Sequence, residues 1–112
     1  MCIRDRYEMR IYHAMPGRLP DLNNRFANIT LKMWEKHSIH QVGFWTAAVG
    51  PDNNALYYIL EWESMADRER KWNTFAVDPA WLSARAETEK NGPLVQRIEN
   101  MFLTPTAYSK MK

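Results

Sequence analysis

The chain has 112 residues, 46% hydrophobic and 25% charged, with a formal net charge of +2. A single domain of this size buries roughly 65% of its unfolded surface, and no Lys/Arg cluster forms the stripe of a nucleic-acid binder. The one cysteine, Cys2, excludes an internal disulfide and a cysteine-based zinc site. No apolar run approaches the ~18 residues of a membrane span, and no charged segment followed by an apolar one opens the chain as a leader would. The expectation is a cytoplasmic protein with no nucleic-acid partner and no membrane span.

Residues 1–6, MCIRDR, carry no period and look like translated adapter sequence from metagenomic assemblies. They read as a non-native extension ahead of one domain over 7–112. A first strand is predicted at 7–14, with Tyr7, Met9 and Ile11 on one side and Glu8, Arg10 and Tyr12 on the other. Met15-Pro16-Gly17 makes a turn. A helix follows over 19–37, with Pro20 in its first turn and an apolar stripe at Leu22, Phe26, Ile29 and Met33. Leu31 and Trp34 fall off that stripe, which suits either a wide core face or the wall of a pocket or dimer contact.

A second strand is predicted at 39–49 and a third at 55–62, joined as a hairpin by the turn cluster Gly50-Pro51-Asp52-Asn53-Asn54. The third strand is apolar on both faces, with Leu56, Tyr58, Leu60 and Trp62 on one and Ala55, Tyr57 and Ile59 on the other. A strand apolar on both sides is covered on both sides. Helices can meet only one face, so a second subunit is expected on the other. Ser64 reads as the cap of a second helix, with Asp67 completing an approximate capping box and Met65, Trp72, Phe75 and Ala76 on the buried side. Asp78-Pro79 starts a short further helix, which ends near Asn91-Gly92-Pro93, before a last strand at 95–103. The order β-α-β-β-α-β is that of a ferredoxin-like α+β unit.

Candidate chemistry is sparse. His37 ends the first helix, where the dipole favours a cation. Arg10 and Tyr12 share a strand face and, if that face looks into a barrel, need partners such as Glu61 or Glu99. Trp45 and Tyr57 could stack on a planar ligand. His37 and His40 span a helix end without a matching carboxylate, so no metal site is expected. There is no nucleophile elbow and no glycine-rich phosphate loop. No cofactor is therefore assigned.

The segments YEMRIYHAMPGRL, EKHSIHQVGFWTAAVGPDN, LEWESMADRERKW, VDPAW and FLTPTAYS, in that order, resemble the NIPSNAP family from Tyr7 to Ser109. The resemblance implies a dimeric α+β barrel, in which the sheets of two ferredoxin-like units face each other. The wider superfamily includes cofactor-free monooxygenases, cyclases, isomerases and haem enzymes. NIPSNAP proteins have no agreed reaction, and some are vesicle- or mitochondria-associated interaction proteins. Ser38 departs from the family's usual glycine after the helix-ending histidine. His13 and His40 are likewise outside its pattern. The expectation is a homodimer that binds a small apolar or aromatic molecule. His37, Tyr12 and Arg10 would supply acid–base chemistry, and Trp45, Tyr57 and Glu61 would bind the ligand. The alternatives are a non-catalytic protein-interaction module and, third, a haem-binding enzyme.

Overall fold

The alternating segments form four strands and the helix-period segments pack on one side of them. The structure, a computed structural model, describes residues 6–110; the extension assigned to residues 1–6 lies outside the described residues except for Arg6, which opens the first strand. In chain order the elements are β1 (Arg6–Ala14), α1 (Leu19–Arg25), a π-helical turn (Phe26–Thr30), α2 (Leu31–Lys36), β2 (His40–Thr46), β3 (Ala55–Trp62), α3 (Met65–Ala76), α4 (Pro79–Thr88) and β4 (Val95–Leu103). The sheet order is β2-β3-β1-β4, and every neighbouring pair is antiparallel. Both crossovers skip one strand, which is the ferredoxin-like arrangement expected of this element order.

β2 stops at Thr46, three residues short of the predicted end. The hairpin loop is held by side chains instead of by strand pairing. Asp52 Oδ1 accepts from the Asn54 backbone N–H at 2.8 Å, and Asn54 Nδ2 donates to the carbonyls of Ala14 and Met15 at 3.1 and 3.3 Å. Such Asx interactions offer the backbone an alternative to the ladder.

Register decides which residues meet the helices. Glu8, Arg10 and Tyr12 lie opposite Leu60, Tyr58 and Leu56, and all six are buried. Met9 and Ile11 lie opposite Ile59 and Tyr57 on the other side and are only half-buried. The polar side of β1, not its apolar side, therefore faces the helical layer. The conditional expectation that Arg10 would pair with Glu61 or Glu99 is corrected accordingly. Those carboxylates lie opposite Tyr7 and Ile11, on the far side of the sheet. Glu8, two residues from Arg10 and on the same face, takes their place.

The first helical rod also departs from its predicted stripe. Leu22, Phe26, Thr30 and Trp34 are buried, whereas Ile29 and Met33 are half-buried. The wide π-turn delays the helix by one residue, so the inward side follows a spacing of four instead of the 22, 26, 29, 33 pattern. Phe26 becomes an aromatic hub, with ring centroids 5.4–5.8 Å from Tyr12, Trp34, Phe44 and Tyr58. Each such pair adds about 0.5–1.5 kcal/mol beyond area burial.

The caps follow the sequence. Ser64 Oγ accepts from the Asp67 N–H at 3.0 Å, and Asp67 returns a bond to the N–H of Glu63 instead of Ser64. Asp67 is buried while Met65 and Ala76 are exposed, so the buried side of α3 is narrower than predicted and rests on Phe75 and half-buried Trp72. Asp78 Oδ1 accepts from the Ala80 N–H at 2.9 Å, with Pro79 next in the chain. The rod ends in a complete Schellman motif: Ile39 N–H donates to the Trp34 carbonyl at 2.8 Å and Ser38 N–H to that of Glu35 at 3.2 Å. Ser38 takes the left-handed backbone at φ 60° that glycine would hold without strain. The cap forms despite the substitution. Among the described residues, no helix is long and apolar enough to cross a membrane.

Candidate functional site

Between the helical layer and the β1–β4 side of the sheet lies a cavity of about 220 Å³. Its sheet wall carries Arg10, Tyr12, Val95 and Ile98, and its helical walls carry Arg25, Phe26, Thr30 and Trp34 on one side and Trp72, Phe75, Trp81, Arg85 and Glu89 on the other. It exists because β4 extends past the helices. Ile98 lies opposite Tyr12 on the helix side yet is 48% exposed.

Arg10 anchors the floor. Its Nε donates to the Tyr58 hydroxyl at 2.8 Å, Nη1 to Glu8 Oε2 at 2.8 Å, and Nη2 to the Tyr12 hydroxyl at 3.3 Å. Its guanidinium lies 4.5 Å from the centroid of the Trp72 ring, a cation–π contact strengthened by desolvation. Burial works against the charge of Arg10, but the Tyr12 and Tyr58 hydroxyls and the Glu8 carboxylate outweigh it and push its pKa up. Burial likewise raises the Tyr58 hydroxyl well above its ordinary value.

Glu8 is the counter-charge and is fully buried. Besides Arg10 it accepts from Trp62 Nε1 at 3.2 Å, Asn100 Nδ2 at 3.1 Å, and Arg68 Nε and Nη2 at 3.3 and 3.2 Å. Burial alone would raise its pKa, but the charge of Arg10 and the donated hydrogen bonds hold it below the usual carboxylate range. A buried carboxylate without such donors would neutralise.

The opposite wall is less satisfied. Arg25 is buried, and its Nη1 lies 3.5 Å from Glu89 Oε2; burial pulls its pKa down, although a guanidinium stays charged at any ordinary pH. Arg25 Nε, Thr30 Oγ1 and Trp34 Nε1 are buried polar atoms with no hydrogen-bond partner. All three residues line the cavity.

Of the candidate residues, the cavity brings together Arg10 and Tyr12. His37 caps α2, with Nε2 at 2.7 Å from Asp78 Oδ2, which also accepts from Lys36 at 2.9 Å. Those two partners, Lys36 first, and the Ala80 N–H hold the Asp78 carboxyl well below the usual range. His37 thereby ties the end of the first rod to the start of α4, and it is not among the residues lining the cavity. Trp45, Tyr57 and Glu61 share the far side of the sheet, where Trp45 lies opposite Tyr57 and is 51% exposed. The Trp45 ring folds over Gly43, where an added Cβ would come within 2.9 Å of it. Among the described residues, no three His, Cys, Asp or Glu side chains are grouped to hold a metal ion.

The residues missed by sequence reading are Glu8, Arg25 and Thr30. Glu8 had a signal, a charge pair with Arg10 at the same-face spacing of a strand. Trp34 had one too, as an aromatic off the predicted stripe. Arg25 and Thr30 had none, because only the π-turn aims them inward.

The family model for NIPSNAP matches residues 7–110. A protein of Caenorhabditis elegans named as NipSnap is 27% identical over 106 residues, covering 95% of this chain and 19% of the relative, so the chain spans about a fifth of that protein's length. A NIPSNAP family protein of unknown function from Agrobacterium tumefaciens superposes with a TM-score of 0.84 at 24% identity, covering 97% of this chain and 95% of that one. A monooxygenase from Streptomyces coelicolor, solved with the ligand nanaomycin D, shares the fold at a TM-score of 0.62 and 14% identity, with 95% and 91% covered. The ordered match from Tyr7 to Lys110, carried on a ferredoxin-like unit of the same shape, establishes that this chain belongs to the NIPSNAP family.

Proposed function

We propose that the protein is a homodimer that binds a small, largely apolar aromatic molecule in the cavity between its helices and sheet. The observation that carries the reading is the lining itself, in which Trp34, Trp72, Phe75 and Trp81 surround the Arg10–Tyr12 pair. Ligand sites are mostly apolar clefts with a few placed polar groups, and this one has that composition. Arg10 donates to the Tyr12 oxygen, so the phenol's own proton is free to be offered to an oxygen of a bound molecule. This supports proton-transfer chemistry of the cofactor-free monooxygenase, isomerase or cyclase type, and the fold shared with the Streptomyces monooxygenase supports the same class. Fold likeness alone does not carry mechanism.

The homodimer reading rests on the far side of the sheet. Met9, Ile11, Tyr57 and Ile59 are half-buried, and Trp45, Met101 and Leu103 are exposed. A contiguous apolar face of this kind marks an interaction surface. An isologous pairing of two such faces is the barrel that the family resemblance implies. The same exposed face is also what a recruiting module would present, and the oligomeric state separates the two.

Fluorescence quenching of the cavity tryptophans by a panel of aromatic acids and quinones tests the binding reading. Saturable quenching is expected, weakened in Tyr12→Phe; no quenching by any member would overturn it. Sedimentation at low micromolar concentration should show a dimer, and a monodisperse monomer would remove that part.

A further inference from the structure

We infer that the cavity is built for a planar aromatic anion of one or two rings, whose oxygen acceptors meet a line of hydrogen-bond donors on the first helical rod. This deepens the binding reading above and rests on it. The line is Arg25 Nε, Thr30 Oγ1 and Trp34 Nε1, in residues 5%, 2% and 1% exposed, and none has a hydrogen-bond partner. Leaving a buried donor unmade costs about 1–3 kcal/mol, so three together on one cavity wall are a large standing deficit.

The chemistry of these atoms selects the ligand. The arginine Nε–H and the indole Nε1–H can only donate, and the threonine hydroxyl can do so. A molecule that completes them must present acceptors. Charge points the same way, since three guanidinium groups line the cavity against the single carboxylate of Glu89. Arg10 is neutralised from behind by Glu8, which leaves Arg25 and Arg85 to share Glu89 at 3.5 Å each.

Spacing sets the shape. Thr30 stands one turn from Arg25 through the π-helical segment and one turn from Trp34 through α2, so successive donors are separated by roughly 5–6 Å along the rod. A compact anion such as phosphate cannot satisfy neighbouring donors at that distance, whereas oxygens on one edge of a flat ring system can. The volume of about 220 Å³ falls below the ~300 Å³ lower end of sites for drug-sized molecules, which limits the ligand to one or two rings. Trp72 and Trp81 supply the opposing aromatic surface.

The test uses three probes of one shape on the intact protein: 2-naphthoate, 2-methylnaphthalene and the cation of 2-naphthylmethylamine. Binding is read by calorimetry. The naphthoate should bind about tenfold or more tighter than the methyl compound, with the ammonium compound weakest. Thr30→Val and Trp34→Phe should each weaken naphthoate about tenfold while leaving 2-methylnaphthalene within about twofold. Because Thr30 Oγ1 has no partner in the empty cavity, Thr30→Val should also melt no lower than wild type without ligand. Equal binding of all three probes, tighter binding of the ammonium compound, or variants that hold naphthoate like wild type would overturn the donor line and leave the aromatic cavity standing. Binding of none would overturn the cavity reading itself.

Discussion

The two faces of this sheet solve opposite problems. On the covered face, β1 buries Glu8 and Arg10 beneath helices and satisfies them with five donors to the one carboxylate and three acceptors for the guanidinium. On the open face the same strand turns out Met9 and Ile11, apolar and half-exposed. A strand that places its charges inward and its apolar residues outward is built against an ordinary hydrophobic interior. The inversion teaches that the inside of this protomer holds a polar device, and that its apolar surplus is reserved for the surface facing away from the helices.

The largest effect should come from breaking the covered face. Glu8→Ala strands Arg10 and removes an acceptor from Arg68, and losing one partner of a buried pair costs about 3–5 kcal/mol. Glu61→Ala, on the open face, should change stability by less than about 1 kcal/mol. Urea titration of both measures the contrast, and equal losses would show that the two faces are not energetically distinct.

The helical lid sharpens the same comparison. Phe26→Ala empties the aromatic hub and should cost about 3–5 kcal/mol, whereas Ile29→Ala should cost about 1 kcal/mol because Ile29 is only half-buried. Thermal melts that ranked Ile29 above Phe26 would restore the regular stripe and remove the π-turn from the account.

On the open face, Ile59→Asp places a charge at the centre of the proposed dimer contact. Dimer dissociation should strengthen by about 100-fold or more, near 2.8 kcal/mol, with the circular dichroism of the protomer retained. Sedimentation equilibrium decides, and an undisturbed dimer would place the interface elsewhere.

The smallest effect is a difference in pH response. The folded pKa of Glu8 is lowered, so its contribution is present above the unfolded value and is lost as pH falls through the folded one. His13, at the margin of the open face, bridges Asp52 in the hairpin loop and Glu99 on β4. Those two hydrogen bonds raise its pKa, Asp52 first, against burial and the charge of Arg97. Its contribution is therefore full below the ordinary histidine value of about 6.5 and is lost as pH rises through the raised one. Hydrogen exchange in the 50–54 loop should quicken as pH rises through that window, beyond the intrinsic pH dependence of exchange, and His13→Asn should abolish the excess.

Much of the architecture was legible in the residues alone. The alternation of β3 and β4 marked both strands from end to end, because a period of two cannot be read as a helix. Ser64 and Asp78-Pro79 announced two helix starts through local hydrogen bonds that need no tertiary partner. The two apolar faces of β3 pointed to a surface beyond the helices. Tertiary structure alone decided which side of β1 the helices would cover, since alternation divides residues into two sets without saying which set is inside. It also decided the inward turn of Arg25, Thr30 and Trp34. That turn depends on one extra residue of helical pitch between Phe26 and Thr30, and packing against the sheet, not local propensity, selects such a pitch.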